Sequence, residues 1–311
     1  MKIAVLGAGA MGCLFGGLLA VGKNEVWLLD VWEEHVKAIN EKGLLIEGIK
    51  GEKNITNIKA TTDAKEVGEA DLVIVFVKST HTEEAIKNSI SLIGEKTVVI
   101  TLQNGLGNVE KLQKMVGEKR VIAGVTSQGS TLIGPAHIRH AGEGETLIGE
   151  IDGRITERLK TIEELFNKAG IKCCIKDDIM SLMWSKLIIN VGINAITAII
   201  GVKNGEIVNH PASEEILKMA VYEAVEVAKA KGIKIVYADP VEKVKEVCKL
   251  TKENISSMLQ DIIKKRKTEI DVINGAVVRE GEILGIPTPV NKVLTNLVLT
   301  IEETYDKRVL L

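Results

Sequence analysis

A chain of 311 residues that is 45% hydrophobic predicts two domains and ample material for a sizeable core. Its 40 Lys and Arg nearly balance 42 Asp and Glu, for a net charge of −2 with the signs mixed throughout. That excludes a basic nucleic-acid face and a polybasic run for anionic lipid, and aromatics at only 3% argue against base-stacking surfaces.

The sequence opens on a strand, KIAVLG (2–7), with no signal-type apolar segment before it. It runs into Gly7-Ala8-Gly9-Ala10-Met11-Gly12, a helical LFGGLLA and the strand EVWLLD (25–30). Strand, G-x-G-x-x-G, helix and strand in this order point to a dinucleotide-binding fold. Gly7 permits the tight turn, Gly9 lets backbone approach a pyrophosphate, and Gly12 lets the helix pack close to the strand. The helix N-terminus presents N–H groups and partial positive charge to the phosphates. Asp30 closes the second strand, where a carboxylate accepts from both ribose hydroxyls and repels a 2′-phosphate. Val31 follows it, not an arginine, so NADH is expected over NADPH.

The apolar runs DLVIVFV (71–77), TVVITL (97–102) and VIAGV (121–125) continue a parallel sheet buried on both faces. Lys78 and Asn104 each follow one of these strands, at the carboxyl ends where ligands of open sheets sit. A simple Asn-Gly turn accounts for Asn104 equally well from spacing alone. Residues 127–150 shift to short extended pieces, STLIG, AHIRHAG and ETLIGE, which read as antiparallel strands finishing the sheet. A helix near 154–169 and a strand IKCCI (171–175) complete an α/β, Rossmann-type doubly wound domain over 1–175.

From 176 to 311 the pattern is all-α, with helices expected near 179–201, 211–231, 240–266, 269–284 and 290–305. The first is the one membrane-length apolar stretch, but a central Lys costs ~2.5–3.5 kcal/mol on insertion, so a buried helix of a soluble protein is expected. Its single charge is Lys186, followed by Asn190 and Asn194 in a stripe about 12 Å long at 1.5 Å per residue. Lys186 is either a snorkelling lysine beside helix-packing amides or an acid–base group whose burial eases proton donation. Glu269 is the best carboxylate to partner it. In 254–275, Ile255, Met258, Leu259 and Ile262 form a buried helical stripe, and Asn254, Ser257 and Asp261 a face of short polar groups. A satisfied helix crossing or a small-molecule site explains that face.

Cys13, Cys173, Cys174 and Cys248 form no C-x-x-C, so neither a disulfide framework nor a zinc site is evident. Reduced, buried thiols and a cytoplasmic location are expected. His137 and His140, three apart in an extended segment, face opposite sides.

Seven segments together resemble the ketopantoate reductase (2-dehydropantoate 2-reductase) family: GAGAMG at 7–12, FVK at 76–78, QNGLGN at 103–108, WSKLIINVGINAITAI at 184–199, KNGEI at 203–207, ENISSMLQDIIKKRKTEIDVING at 253–275 and GIPTP at 285–289. The resemblance implies a Rossmann domain, then a helical domain of the 6-phosphogluconate dehydrogenase C-terminal type, with the site in the cleft between them. It implies hydride transfer from a reduced nicotinamide to the 2-oxo carbon of 2-dehydropantoate, giving (R)-pantoate on the route to coenzyme A. By position it makes Lys186 the general acid and Asn190, Asn194, Asn204 and Ser257 substrate-binding residues; Asn254, on the same polar helix face as Ser257, is expected to bind substrate from its spacing alone. It places Glu269 at the cofactor and active-site end, Asn104 on cofactor and substrate, Ser130 near the nicotinamide, and Lys78 on the cofactor. Family members typically use NADPH with an arginine near position 31, from which Asp30-Val31 departs. A reductase of another small 2-oxo acid and a non-catalytic NAD(H)-sensing module are the competing readings. The apolar late helices, VLTNLVLTIEE (293–303) among them, suit a homodimer.

Overall fold

A computed structural model describes residues 1–308. In chain order the elements are β1 (Lys2–Leu6), α1 (Ala10–Val21), β2 (Glu25–Leu29), α2 (Glu33–Lys42), β3 (Leu44–Gly48), β4 (Lys53–Ile55), β5 (Lys59–Thr61), β6 (Leu72–Val75), α3 (Thr82–Asn88), β7 (Val98–Thr101), α4 (Asn108–Val116), β8 (Val121–Thr126), β9 (Gly129–Gly134), β10 (His137–Gly142), β11 (Thr146–Gly149), α5 (Glu157–Lys168) and β12 (Cys173–Ile175). The helices α6 (Ile179–Ile200), α7 (Glu206–Asn209), α8 (Pro211–Ala230), α9 (Pro240–Leu250), α10 (Ser257–Ile263), α11 (Asn274–Leu284) and α12 (Pro289–Glu303) follow. The chain divides into one unit of residues 1–103 and 108–179 and a second of 104–107 and 180–311.

In the first unit an eight-stranded sheet runs β12-β11-β8-β7-β6-β1-β2-β5. From β5 to β8 every pairing is parallel; β11 runs antiparallel to β8 and parallel to β12. β6 is buried along its whole length, as its unbroken LVIV run requires.

Residues 127–150 do not all finish this sheet. β9 and β10 pair antiparallel with each other, but β10 then pairs parallel with β3, giving a separate four-stranded sheet of order β4-β3-β10-β9. The reason lies in α1, whose sequence AMGCLFGGLLAV is apolar on all sides. A Cβ on Gly16 would meet Leu28 of the large sheet at 2.5 Å, and one on Gly17 would meet Ile46 of the small sheet at 2.7 Å. The helix lies between two sheets, and its glycines let both approach. Phe15 extends this core, its ring tilted at 53° to that of Phe76 with centroids 4.9 Å apart and edge-on at 5.7 Å to Phe166 of α5.

In the second unit α6 is the central helix. It is long and apolar enough to cross a membrane, yet 72% of its apolar window is buried inside the protein. A Cβ on Gly192 would lie 2.8 Å from Val244 of α9 and 2.9 Å from Val221 of α8, so glycine sets this close crossing.

The single helix expected over 240–266 is two. α9 ends at Leu250, a turn fills 251–256, and α10 restarts at Ser257. Ser256 is the reason: its side chain accepts from the Leu259 N–H at 3.1 Å and caps the new helix. Ile255 is 40% exposed instead of buried, whereas Met258, Leu259 and Ile262 are buried as expected. Asn254 therefore lies in the turn, not on a helix face. The helix expected from 269 begins as a 3-10 turn, Ile270–Val272, with α11 starting at Asn274.

Candidate active site

The glycine turn is built as its spacing demands. Gly7 has φ +93°, and a Cβ there would lie 2.6 Å from the Val77 nitrogen. A Cβ on Gly12 would stand 1.9 Å from the Gly7 carbonyl oxygen. Gly9, the N-cap of α1, has nothing within 4 Å of its would-be Cβ. No side chain caps this helix and no acid sits in its first turn, so its N-terminal dipole is not offset locally.

Asp30 follows β2, and its Oδ1 accepts from the Trp32 N–H at 3.1 Å. Val31 is 93% exposed. The Trp32 ring stacks on His35 with centroids 5.1 Å apart and planes 10° from parallel. The Ala136 N–H donates to His35 Nδ1 at 3.0 Å, which leaves the proton on Nε2, facing Cys13 Sγ at 3.3 Å. The Cys13 thiol in turn donates to the Ala8 carbonyl. Burial lowers the His35 pKa, with Asp30 acting in the opposite sense, and burial raises that of Cys13.

Lys78, half-buried, precedes a 3-10 turn at Ser79–His81. Gln103, which the sequence did not single out, ties together the ends of β6 and β7. Its Nε2 donates to the Val77 carbonyl at 2.7 Å and to Thr82 Oγ1 at 2.8 Å, while its Oε1 accepts from Thr101 Oγ1. Ser130 lies on β9, its hydroxyl donating to the Arg139 carbonyl at 3.3 Å.

The segment Asn104–Gly107 clusters with the second unit. The Leu106 N–H donates to the Val272 carbonyl at 2.9 Å, and Gly105, at φ +80°, leaves only 2.4 Å between its would-be Cβ and the same oxygen. This holds Asn104 between two charged residues. Lys186 Nζ donates to Asn104 Oδ1 at 2.9 Å, and Asn104 Nδ2 donates to Glu269 Oε2 at 3.4 Å. Glu269 is buried. Burial of the amine lowers the Lys186 pKa to about 8, with the Glu269 charge pulling it back up. An amine, an amide and a carboxylate from three distant segments thus form one chain able to hold and release a proton.

Along α6 from Lys186, Asn190 is half-buried and Asn194 buried. One turn further, Thr197 Oγ1 and Ser256 Oγ are hydrogen-bonded at 2.7 Å, which ties the turn at 251–256 to α6. The Asn204 N–H donates to the Asn254 carbonyl at 3.0 Å, and Asn204 Nδ2 donates to Thr251 Oγ1 at 3.0 Å. The side chains of Asn254 and Ser257 are exposed, and Asp261 is buried in α10. Ser256 and Thr251 organise this turn, and only their non-local partners reveal it.

Elsewhere, His137 pairs with Glu47 at 3.0 Å and His140 with Gln128 at 2.9 Å. The four cysteines are free thiols, with Cys13, Cys173 and Cys248 buried.

Two family models match the chain: ketopantoate reductase PanE/ApbA over residues 3–153 and ketopantoate reductase PanE/ApbA C terminal over 178–302. A 2-dehydropantoate 2-reductase of Pyrococcus horikoshii is 39% identical over 298 residues, covering 96% of this chain and 96% of its own. Among solved structures, a PanE/ApbA family ketopantoate reductase from Ralstonia eutropha JMP134 is similar at a TM-score of 0.92 and 34% identity, covering 98% of this chain and 100% of its own. A D-mandelate dehydrogenase, solved with NADH and anilino(oxo)acetate, is similar at a TM-score of 0.91 and 30% identity, with 98% and 100% covered. Matched in order through both its sheet-bearing and its helical half, the chain belongs to the ketopantoate reductase PanE/ApbA family.

Proposed function

We propose that the protein reduces 2-dehydropantoate to (R)-pantoate with a reduced nicotinamide dinucleotide, the step that supplies pantoate for pantothenate and coenzyme A. The observation that carries this reading is the Lys186–Asn104–Glu269 chain, with its lysine pKa brought down to about 8. The open flank of Gly9 and the uncapped start of α1 fit a pyrophosphate, and Asp30 fits a ribose diol. Lys78, Ser130, Asn104 and Glu269 complete the proposed cofactor contacts. When bound, the reduced nicotinamide supplies a hydride to the 2-oxo carbon of the substrate.

The chain's own residues manage the charge that results. As the carbonyl oxygen gains electron density, the Lys186 ammonium stabilises it and delivers the proton. Asn104 accepts from the amine and so aims it, and Glu269, whose charge favours the ammonium, keeps the acid loaded. Asn190, Asn194, Asn204, Asn254 and Ser257 bind the hydroxyl and carboxylate without adding charge to a small site. Asp30 followed by exposed Val31 favours NADH, since neither residue would neutralise a 2′-phosphate. The buried thiols suit a reducing, cytoplasmic setting.

Steady-state reduction of several 2-oxo acids by the purified protein tests this directly. Likeness to a D-mandelate dehydrogenase keeps one other reading in play, a reductase of a different 2-oxo acid. Preference for an aromatic or simple alkyl oxo acid over 2-dehydropantoate would decide for it. Lack of turnover with every oxo acid, despite NADH binding, would instead favour a sensing module.

A further inference from the structure

The turn that follows Glu269 is anchored at its far end by one buried amide. Asn274, the first residue of α11, is wholly buried. Its Nδ2 donates to Asn291 Oδ1 of α12 at 3.0 Å and to the Val191 carbonyl of α6 at 3.4 Å. The orientation is dictated from a distance. The two oxygens of Glu223 on α8 accept from the Val290 and Asn291 N–H groups and from Asn291 Nδ2, which also donates to the Ala220 carbonyl. With its NH2 committed there, Asn291 offers Asn274 only an oxygen, so Asn274 must turn its NH2 towards α12 and α6.

Asn274 Oδ1 is left buried with no hydrogen-bond partner among the described residues. An unmet buried acceptor costs stability. Apolar side chains of similar shape at 274 and 291 would pack here without that cost, so packing alone does not call for the pair of amides.

The residues just before Asn274 supply a reason. The N–H groups of Val272 and Ile273 both donate to the Glu269 carbonyl at 3.1 Å. The Val272 carbonyl accepts from the Leu106 N–H at 2.9 Å, the bond that holds the segment bearing Asn104. Glu269 and the grip on Asn104 thus share one turn, which ends at Asn274. Val191, to which Asn274 ties it, lies on the helix that carries Lys186. We infer that Asn274 is a positioning residue for the proposed acid: by tying this turn to α6 it sets Glu269 and Asn104 against Lys186. This rests on the proposed reaction at the same site.

Asn274→Leu keeps the branching at Cγ and removes both donors. Its kcat for 2-dehydropantoate should fall by roughly 10- to 100-fold, the scale of a displacement of about 1 Å at a reacting group. Because the Glu269 charge favours the Lys186 ammonium, a loosened turn should also move the high-pH decline of kcat/KM to lower pH. In a Glu269→Gln background the same substitution should move that decline no further, since the carboxylate it positions is gone. Asn274→Ser, smaller and still polar, should shift the decline in the same sense, and it carries the test where the leucine variant does not fold. A purely structural amide would lower the melting temperature and leave the pH profile where it was. That result, or a shift that adds in full to that of Glu269→Gln, would overturn the inference while leaving the reaction intact. A parent protein that reduces no 2-oxo acid would overturn the reaction itself and this inference with it.

Discussion

At Lys186, burial and a neighbouring charge act in opposite senses. Desolvation disfavours the ammonium, Glu269 favours it, and burial wins, leaving a pKa of about 8. Only the protonated amine can donate, so kcat/KM should be level below pH 8 and decline as pH rises through about 8. Glu269→Gln removes the charge that favours the ammonium, so the same decline should move to lower pH; a fixed profile would show that Glu269 does not tune the acid. Lys186→Met should lower turnover by ~10²–10⁴-fold, the usual worth of a positioned acid, while NADH titration by fluorescence stays near parent. The proposed preference for NADH is tested at two neighbouring residues. Asp30→Ala with Val31→Arg should shift the kcat/KM ratio towards NADPH, through loss of a repelling carboxylate and gain of a phosphate partner.

At the level of elements, the turn between β1 and α1 separates two kinds of glycine. Gly12→Ala would place a methyl 1.9 Å from the Gly7 carbonyl, so α1 must shift, and both melting temperature and NADH affinity should drop. Gly9→Ala meets nothing within 4 Å at an ordinary φ of −67°, so it should melt as the parent does yet bind NADH more weakly. Equal behaviour of the two variants in calorimetry would contradict this division. The same elements show what could be read from sequence. The large sheet was legible because its strands are unbroken apolar runs beside a glycine motif of fixed spacing. β3, β4 and β5 were not, being short and interrupted by charged residues, and the company of β3 and β4 with β9 and β10 depends on the glycines of α1. The break between α9 and α10 was hidden because apolar spacing carries on across it, while the Ser256 cap that restarts the helix is local polar chemistry. In the site, Lys186 stood out as the lone charge of an apolar helix. Its contact with Asn104, 82 positions away in sequence, did not follow from any local pattern. Gln103, His35 and Thr251 were invisible for the same reason, since each matters through partners distant in sequence.

For the molecule as a whole, the sheet-bearing unit carries the features that suit a dinucleotide, and the helical unit, with the segment 104–107, carries Lys186, Asn104 and Glu269, the proposed acid and its partners. On this division, Lys186→Met should alter turnover without altering NADH affinity, and Gly9→Ala the reverse. The helical unit also leaves Val293 and Leu297 of α12 exposed, as a homodimer contact would require. Sedimentation should find a dimer at micromolar concentration, and Leu297→Glu should shift it towards monomer; a parent that sediments as a monomer would remove this expectation without touching the chemistry. The most direct measurement is the initial rate of NADH oxidation by the purified protein with 2-dehydropantoate, set beside the same rate for Lys186→Met. The account predicts saturable turnover in the parent, preferred over other 2-oxo acids, and a loss of at least ~10²-fold in the variant. Comparable rates in the two proteins, or no oxidation of NADH by the parent with any 2-oxo acid, would contradict it.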